Sequence, residues 1–581
     1  MIKTLLQIPK YIDKKHKVNL IFFFIFALFV PLLESVSVAS LGAIVLFVID
    51  IESSISFIPS LYLQELLINM DQTKLILYTS CIFIFVLILK NIFIFLYFVF
   101  EGKIKRNIGN YHSEILFKKF INKNYLDLIS YNLSNIQNEI IVQAKKISSL
   151  IFLISGFAKD MMLALIFIIS LFIMNYKATI FLIILSLSFS YLFYFLTNKK
   201  IKIVGGIIRT LEAELVKVVR ATFEGFKIII LFGKKDFFRK KFHTDLSEKT
   251  KYELWYFIIS KIPRLLLEIV FAFSLVVFLN IFLFNEINLN KILPFLVFLS
   301  LISMRMLPIF TNVNLTIAQM KITQIAVENI IGILSDRSEF LFSKKDSSTK
   351  IDKEVKFNKI KDIVLKDVYF KYPQKSDRVI KNFSYTFSEG TLYALAGRSG
   401  AGKSTLVDLM SGVLQPNSGK IFSGTQNIHE NIKNWQKKVG YVPQENFLIN
   451  DSIKNNICFG EKPEEVDIDF LNKTIDQSDL RDFINNLPEK ENIILGDRGV
   501  NISGGQKQRI GLARALYQNR SFLILDEATS SVDTQTEDTI LKTLHKIKKN
   551  RIIIMIAHRQ STIEQCDQII YLNDGLIEKA D

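Results

Sequence analysis

Cysteine is nearly absent from this chain: Cys81, Cys458 and Cys566 are the only three in 581 residues, and they lie far apart. That is too few and too scattered for a disulfide-stapled secreted module. Proline (11) and tryptophan (2) are also scarce, and no low-complexity segment or short-period repeat interrupts the chain. The apolar content excludes a disordered tail protein, since half of the residues are hydrophobic and 50 are phenylalanine. The length points to more than one unit. The first apolar run is too long for a secretory leader, and no small-residue cleavage site follows a short apolar core, so no cleavable signal peptide is expected.

An acidic surplus is lacking too. The formal net charge is +17, which by itself would suggest nucleic acid as a partner. Its distribution argues otherwise. Residues 1–325 hold 36 Lys/Arg against 20 Asp/Glu, whereas residues 326–581 hold 36 against 35. The surplus shares the first part of the chain with the apolar runs. The second part lacks the basic face that a nucleic-acid ATPase needs, and no nucleic-acid partner is expected.

About 20 mostly apolar residues are needed to cross a bilayer as a helix. Six runs qualify: 18–47, 75–100, 149–174, 178–197, 262–284 and 292–320. Lysine and arginine set their orientation, because positive connections stay cytoplasmic. Residues 1–17 hold five, 101–148 hold eight and 199–261 hold fifteen, while 48–73 hold none. Both termini and the two long connections are therefore expected in the cytoplasm. Within those connections, 114–120 and 209–230 lack proline and keep helical apolar spacing, so the membrane helices are expected to continue beyond the bilayer. Residues 335–360 are polar and read as a linker. From Lys361 onward, short β-rich runs (363–370, 392–396, 521–525, 551–556) alternate with helical ones, the pattern of an α/β domain.

The sharpest local signal is Gly397-Arg398-Ser399-Gly400-Ala401-Gly402-Lys403-Ser404, with Thr405 opening the following helix. It fits G-x-x-x-x-G-K-[ST] between a strand and a helix. Glycines let the backbone wrap phosphates, Lys403 can reach the β and γ phosphates, and the Ser404 hydroxyl can bind Mg²⁺. Downstream, the apolar strand 521–525 ends in Asp526 and Glu527. Asp526 can help hold Mg²⁺, and Glu527 can polarise an attacking water as general base. ATP and Mg²⁺ are the expected cofactors. The expected fold class is an α-helical six-span transmembrane domain (1–334) with cytoplasmic helix extensions, a linker (335–360), and an α/β P-loop ATPase cassette (361–581).

Between the P-loop and Asp526 lies Ser503-Gly504-Gly505-Gln506. With this segment in that order, the chain resembles the ATP-binding cassette (ABC) transporter superfamily, in its exporter-type half-transporter form. The resemblance implies further roles. Tyr372 would stack on adenine. Gln444, in Tyr441-Val442-Pro443-Gln444, would sense Mg²⁺ and the γ-phosphate. Asp533 would belong to the loop linking two sites, and His558 would be the switch histidine at the γ-phosphate. Gly496-Asp497-Arg498-Gly499 resembles the exporter segment that meets the coupling turns, and residues 125–132 and 233–241 occupy the positions of the two coupling helices. In that family the signature of one cassette caps ATP on the P-loop of another, so a homodimer with two active sites is implied.

Charges inside the spans are costly and point to cargo or pairing. Glu34, Lys90, Arg264 and Arg305 are the candidate substrate-cavity residues. Lys159–Asp160 and Arg264–Glu268 could simply neutralise one another, but Lys90 and Arg305 have no acid nearby in sequence. A cationic cavity suits an anionic pyrophosphate or phosphate head group. Glu34-Ser35, Ile262-Pro263-Arg264 and Arg305-Met306-Leu307-Pro308 resemble bacterial lipid-linked oligosaccharide flippases. That implies a polyprenyl-pyrophosphate-linked oligosaccharide as cargo, a cell (inner) membrane location with the ATPase domain cytoplasmic, and a short external helix at 56–69. The alternatives are a flippase or exporter of lipid A, phospholipid, drug or peptide. In a different class stands an ATP-gated channel or sensor without net transport. Surrounding membrane lipids are expected companions of the basic cytoplasmic stretches.

Overall fold

The computed structural model of the chain describes residues 7–49, 71–131, 133–284, 289–335, 360–373, 377–496, 502–527 and 534–580. Two compact units result: Met1–Asn122 with Tyr131–Leu341, and Lys123–Ser130 with Phe342–Asp581. The expected external helix at 56–69, and the linker from 336 to 359, lie outside the described residues.

The first unit is helical. Its long helices are α1 (Lys14–Ile49) and α2 (Gln72–Ile121); the short helix α3 (Tyr125–Ser130) belongs to the second unit. There follow α4 (Ala144–Met174), α5 (Tyr176–Glu224), α6 (Lys235–Phe284) and α7 (Leu289–Ser335). Helices α2, α5 and α6 have 50, 49 and 50 residues, or about 75 Å each at helical rise. That is far more than the roughly 30 Å of a hydrocarbon core. Among the described residues, four stretches are long and apolar enough to cross a membrane: Lys14–Val45, Gln72–Ile121, Asn135–Ile173 and Leu296–Ser335. The other two expected spans fall in α5 and α6, where the described apolar stretches Tyr176–Leu185 and Leu265–Ile281 are shorter. Both helices carry their apolar residues toward one end and charged residues along the rest.

Aromatic packing ties α1, α2 and α4 together. Phe23 is fully buried, 5.4 Å from the Tyr97 ring and 4.8 Å from Phe152. On the outer faces the pattern inverts: Phe22 (61% exposed), Phe85 (66%) and Phe95 (65%) point away from the protein. A water-facing helix would not carry that row, whereas hydrocarbon accepts it. Between α4 and α5 the turn is a single residue, Asn175, whose side chain accepts from the Ala178 N–H at 3.1 Å. At the other end of α4 the helix is preceded by a five-residue π-helical stretch, Glu139–Gln143. The second expected coupling turn, 233–241, is mostly the first turns of α6. The separate short helix there is Phe226–Leu231, ended by Gly233 in the left-handed region (φ +64°).

The second unit is α/β. A four-stranded antiparallel sheet has the order β2-β1-β4-β5, with β1 Asp362–Phe370, β2 Ile380–Ser388, β4 Ser418–Ser423 and β5 Gln426–Asn427. A six-stranded sheet has the order β10-β9-β3-β8-β7-β6. Its strands are β3 (Leu392–Gly397), β6 (Val439–Val442), β7 (Phe522–Asp526), β8 (Ile552–Ile556), β9 (Gln568–Asn573) and β10 (Leu576–Ala580). Strands β7 and β8, Phe-Leu-Ile-Leu-Asp and Ile-Ile-Ile-Met-Ile, are buried at every position, as parallel strands covered on both faces require. Among the helices of this unit are α8 (Lys403–Ser411), α9 (Gly504–Tyr517) and α10 (Thr534–Ile547). Leu126 of α3 packs on its core.

Trp435 is the largest fully buried side chain of this core. Its indole N–H donates to the Met410 carbonyl at 2.9 Å, and its ring lies 5.9 Å from Phe522. It thus props the end of α8, the helix that carries the P-loop lysine. Replacing it with leucine removes both the bond and ring volume. Trp435→Leu is expected to cost about 3 kcal/mol, read as a lowered thermal unfolding midpoint of the cassette.

Candidate active site

The nucleotide-type site is assembled by sheet register. Strands β6, β7 and β8 run parallel, with Val442 beside Leu525 and Asp526 beside Ile556. Gln444 lies two residues beyond Val442, Glu527 one beyond Asp526, and His558 two beyond Ile556. All three side chains therefore leave the carboxyl edge of the sheet together, where open α/β sheets bind ligands. The Gln444 amide donates to one Glu527 carboxylate oxygen at 2.7 Å, and His558 Nε2 meets the other at 2.9 Å. Glu527 itself takes a left-handed backbone conformation (φ +49°), uncommon for a non-glycine residue. Its N–H is tied to the Ile556 carbonyl at 3.2 Å, and the Gln508 amide donates to its carbonyl at 3.4 Å.

The P-loop follows β3 in the same sheet. Gly397 and Gly402 hold φ values of +141° and +100°, and a Cβ on Gly397 would collide with the Leu572 backbone carbonyl. Helix α8 begins at Lys403, two residues earlier than the sequence suggested, because Gly402 serves as its left-handed N-cap. Lys403 is buried, and its ammonium donates to the Gly397 and Arg398 carbonyls at 2.8 and 3.0 Å. Burial pushes its pKa down, while Glu527 and Asp526 pull it up. Ser404 stays exposed beside it, and Thr405 is buried with its hydroxyl 3.2 Å from the Tyr372 hydroxyl. Tyr372 stands edge-on to Phe370 at 5.0 Å and lines a cleft of about 470 Å³ together with Tyr369, Arg378 and Asn417.

Asp526 is 7% exposed, and burial raises its pKa. One of its oxygens accepts from the Tyr441 hydroxyl at 3.2 Å. The Tyr441 ring reaches solvent, but its hydroxyl end is pushed above its ordinary range by desolvation and then by Asp526 and Asp408. Asp408, on α8, is pushed up to about 6 by burial and by Asp526. Tyr125 of α3 lies within electrostatic reach of Asp408, Tyr372 and Tyr441. The donor set around this edge, a carboxylate, a hydroxyl and an amide oxygen, is hard and oxygen-rich. Mg²⁺ needs only one or two such protein ligands alongside phosphates, so these residues fit it.

Sequence reasoning missed several residues that hold the arrangement. Glu537 of α10 is buried, paired with Arg559 at 2.8 Å and bonded by the Thr562 hydroxyl, and so anchors the segment next to His558. Asn446, two residues after Gln444, presses its amide against Gly511 of α9, where any Cβ would clash with it. No local pattern around Asn446 or Gly511 marks that packing. The signature residues stand at the start of α9. The Ser503 hydroxyl accepts from the Gln506 N–H at 3.2 Å, while the Gln506 side chain accepts from the Ser503 N–H at 2.8 Å, a closed capping box. Asp533 and the segment 497–499 lie outside the described residues.

In the first unit, three of the four candidate cavity residues can be traced. Lys90 of α2 is 7% exposed, and both Glu34 of α1 and Arg305 of α7 lie near enough to act on its ammonium. Glu34 also acts on Asp160, the neighbour of Lys159. The side chain of Arg264 lies outside the described residues.

Asp408 supplies a pH test. Its folded-state pKa is raised above the ordinary 3.8, so the ionised form is disfavoured by folding. The penalty is absent below the ordinary value and grows until pH passes about 6. Asp408→Asn is expected to raise the cassette's melting temperature more at about pH 8 than at about pH 4.

Residues 380–530 match the ABC transporter family model. The chain is 37% identical over 293 residues to the ATP-dependent lipid A-core flippase of Pseudoalteromonas translucida (49% of this chain, 48% of the relative). It is 30% identical over 376 residues to the flippase of the same description from Aromatoleum aromaticum (64% and 60%). ABC transporter B family member 28 of Arabidopsis thaliana is 40% identical over 218 residues (37% and 30%). The chain thus spans about half the length of the first of these relatives and 60% of the second. The fold matches a solved structure described as a bacterial Atm1-family ABC exporter with ATP bound, at a TM-score of 0.73 and 18% identity over 98% of this chain and 95% of that one. Residues 380–530 therefore carry an ABC transporter family domain, and the chain shares its fold with a solved ABC exporter.

Proposed function

We propose that two copies of this chain form an ATP-hydrolysing exporter that flips an anionic, phosphate-bearing glycolipid from the cytoplasmic to the outer leaflet of a bacterial cell membrane. The observation that carries the ATPase reading is Glu527, held between Gln444 and His558 at 2.7 and 2.9 Å beside Asp526 and the P-loop lysine. With ATP on the P-loop, Lys403 turns from its carbonyl perch to the β and γ phosphates. Tyr372 stacks on the adenine. Gln444 and His558 hold Glu527 so that its carboxylate accepts a proton from the attacking water, and His558 donates to the γ-phosphate. Catalysis here is positioning and charge stabilisation rather than covalent chemistry. Ser404, Asp526 and Gln444 would hold Mg²⁺, which when bound neutralises charge developing on the phosphates.

Dimerisation follows from the signature. Ser503 and Gly504 are exposed, and their helix N-terminus presents backbone donors suited to a phosphate. In this reading they cap ATP held by a second copy, with Asp533 in the loop joining the two sites. Both sites would then be alike and active.

The cargo reading rests on the Glu34–Lys90–Arg305 group. A cation buried among apolar helices is costly unless an anion uses it. A polyprenyl-pyrophosphate-linked oligosaccharide supplies two adjacent phosphates. A second reading, a lipid A-core glycolipid, is favoured by the description of the bacterial relatives and offers the same phosphate chemistry.

Glu527→Gln keeps the shape and the Gln444 contact but removes the base. It is expected to retain ATP binding while hydrolysis falls by about 10²-fold or more and lipid translocation stops in proteoliposomes. Unchanged function would favour an ATP-gated switch over a pump. Side-by-side translocation of a polyprenyl-pyrophosphate glycan, a lipid A-core glycolipid and a phospholipid separates the cargo readings; ATP-dependent flipping of phospholipid alone would sink both.

A further inference from the structure

A second polar site lies in the helical unit, away from the Lys90–Arg305 group. A pocket of about 460 Å³ opens between α2, α4 and α7. Lys105 of α2 and Lys146 of α4 supply two ammonium groups to its lining. Ser149 on α4, with Gln319 and Thr323 on α7, adds hydroxyl and amide donors, and Phe152 and Leu153 form an apolar wall. Neither lysine is in a salt bridge among the described residues. Glu101, at one end of the pocket, is answered first by the Lys159 ammonium, which lies 5.7 Å over the ring of Tyr97 one turn earlier on α2, and second by Lys105.

The level of this pocket along the helices is informative. Helix α2 is apolar up to Phe100 and then turns to Glu101, Lys103, Lys105 and Arg106. Helix α4 makes the same change in reverse, from Lys145 and Lys146 into the apolar run 149–174. Both helices pass from charged to apolar beside the same pocket, which is where lipid head groups meet hydrocarbon. Lys105 lies 15 residues beyond Lys90 on α2, or about 22 Å along the helix. The pocket is therefore a separate station, on the side that the basic connections mark as cytoplasmic.

Two ammonium groups, three neutral hydrogen-bonding side chains and an adjoining apolar wall describe one ligand chemistry: a phosphate attached to a hydrocarbon chain. A phosphate accepts from Lys105, Lys146, Ser149 and Thr323, and charge-assisted bonds of that kind are the strong ones. Phe152 and Leu153 accept the first methylenes. Glu101 cannot take a phosphate but can accept from sugar hydroxyls, so it orients a glycosylated head group with its phosphate toward the lysines.

We propose that this pocket binds the phosphate-bearing head group of a cytoplasmic-leaflet lipid, as a loading site reached before the Lys90–Arg305 group. The proposal deepens the flippase reading and rests on it only for the claim that the bound lipid is cargo.

The test uses the full chain in phosphatidylcholine nanodiscs containing a minor fraction of phosphatidate, with retained phosphatidate read by native mass spectrometry. The wild type is expected to retain phosphatidate. The double variant Lys105→Gln, Lys146→Gln is expected to bind it about tenfold or more weakly, and Lys105→Arg, Lys146→Arg to keep it, with matching melting temperatures. Equal retention in the wild type and the glutamine variant overturns the site, as does absence of phosphatidate from the wild type. Inorganic pyrophosphate is the second probe. If it displaces phosphatidate as well as a lipid phosphate does, the occupant is a soluble anion and the lipid assignment falls. Translocation measured on the same preparations separates the two proposals. A chain that flips no lipid but loses phosphatidate with the two lysines keeps the site and ends the flippase reading. A chain that flips lipid with an unchanged half-saturating concentration in the glutamine variant keeps the flippase reading and ends the loading site.

Discussion

The parallel register of β6, β7 and β8 is the constraint on which the cassette depends. A slip of one residue between β6 and β7 would turn Glu527 away from Gln444, and one between β7 and β8 would turn it away from His558, because side chains alternate across a strand. The register is protected by making the strands unable to sit elsewhere. Apart from Asp526, strands β7 and β8 are apolar, and both are buried at every position, so a slip would draw the charged residues at their ends into the covered layer. The polar residues begin only where the sheet ends. Hydrophobic burial of the strands thus fixes the position of the Glu527 carboxylate beyond their ends.

The same edge concentrates negative charge. Asp526 and Glu527 both act on Lys403, Asp526 also acts on Asp408, and burial raises the pKa of both aspartates. A site in this condition favours any ligand that brings cations with it, and a metal-bound nucleotide does so. In the helical unit the sign is reversed. Lys90 is buried beside Arg305, and Glu34 compensates only in part. The two units thus concentrate charge of opposite sign at these positions.

Much of the catalytic edge was legible in the sequence because its residues come in short contiguous motifs. The P-loop, the Asp526–Glu527 pair and Ser503–Gln506 each declare themselves within a few positions. Their supports do not. Glu537 and Arg559 are 22 residues apart, and nothing in either neighbourhood marks them as a pair. Asn446 and Gly511 meet through packing of a loop on a helix, which no local pattern encodes. The start of α8 was misjudged by two residues because Gly402 is at once a phosphate-loop glycine and an N-cap. In the helical unit the charges could be listed from sequence but not grouped. Helical rotation decides which of them face one another, and the apolar runs around Lys90 and Arg305 carry no phase marker strong enough to give it.

The π-helical stretch Glu139–Gln143 bears on that rotation. A π turn accommodates one residue more than an α turn, so it advances every later side chain by about 100° around the axis. Lys146, Ser149, Phe152 and Lys159 all lie downstream of it on α4. A single inserted residue therefore sets which flank of α4 is polar toward its neighbours, while the helix keeps its composition and its ends. Homologues that lost or gained one residue there could redirect a whole helix face without changing any residue on it, a compact route by which one scaffold acquires a different cargo.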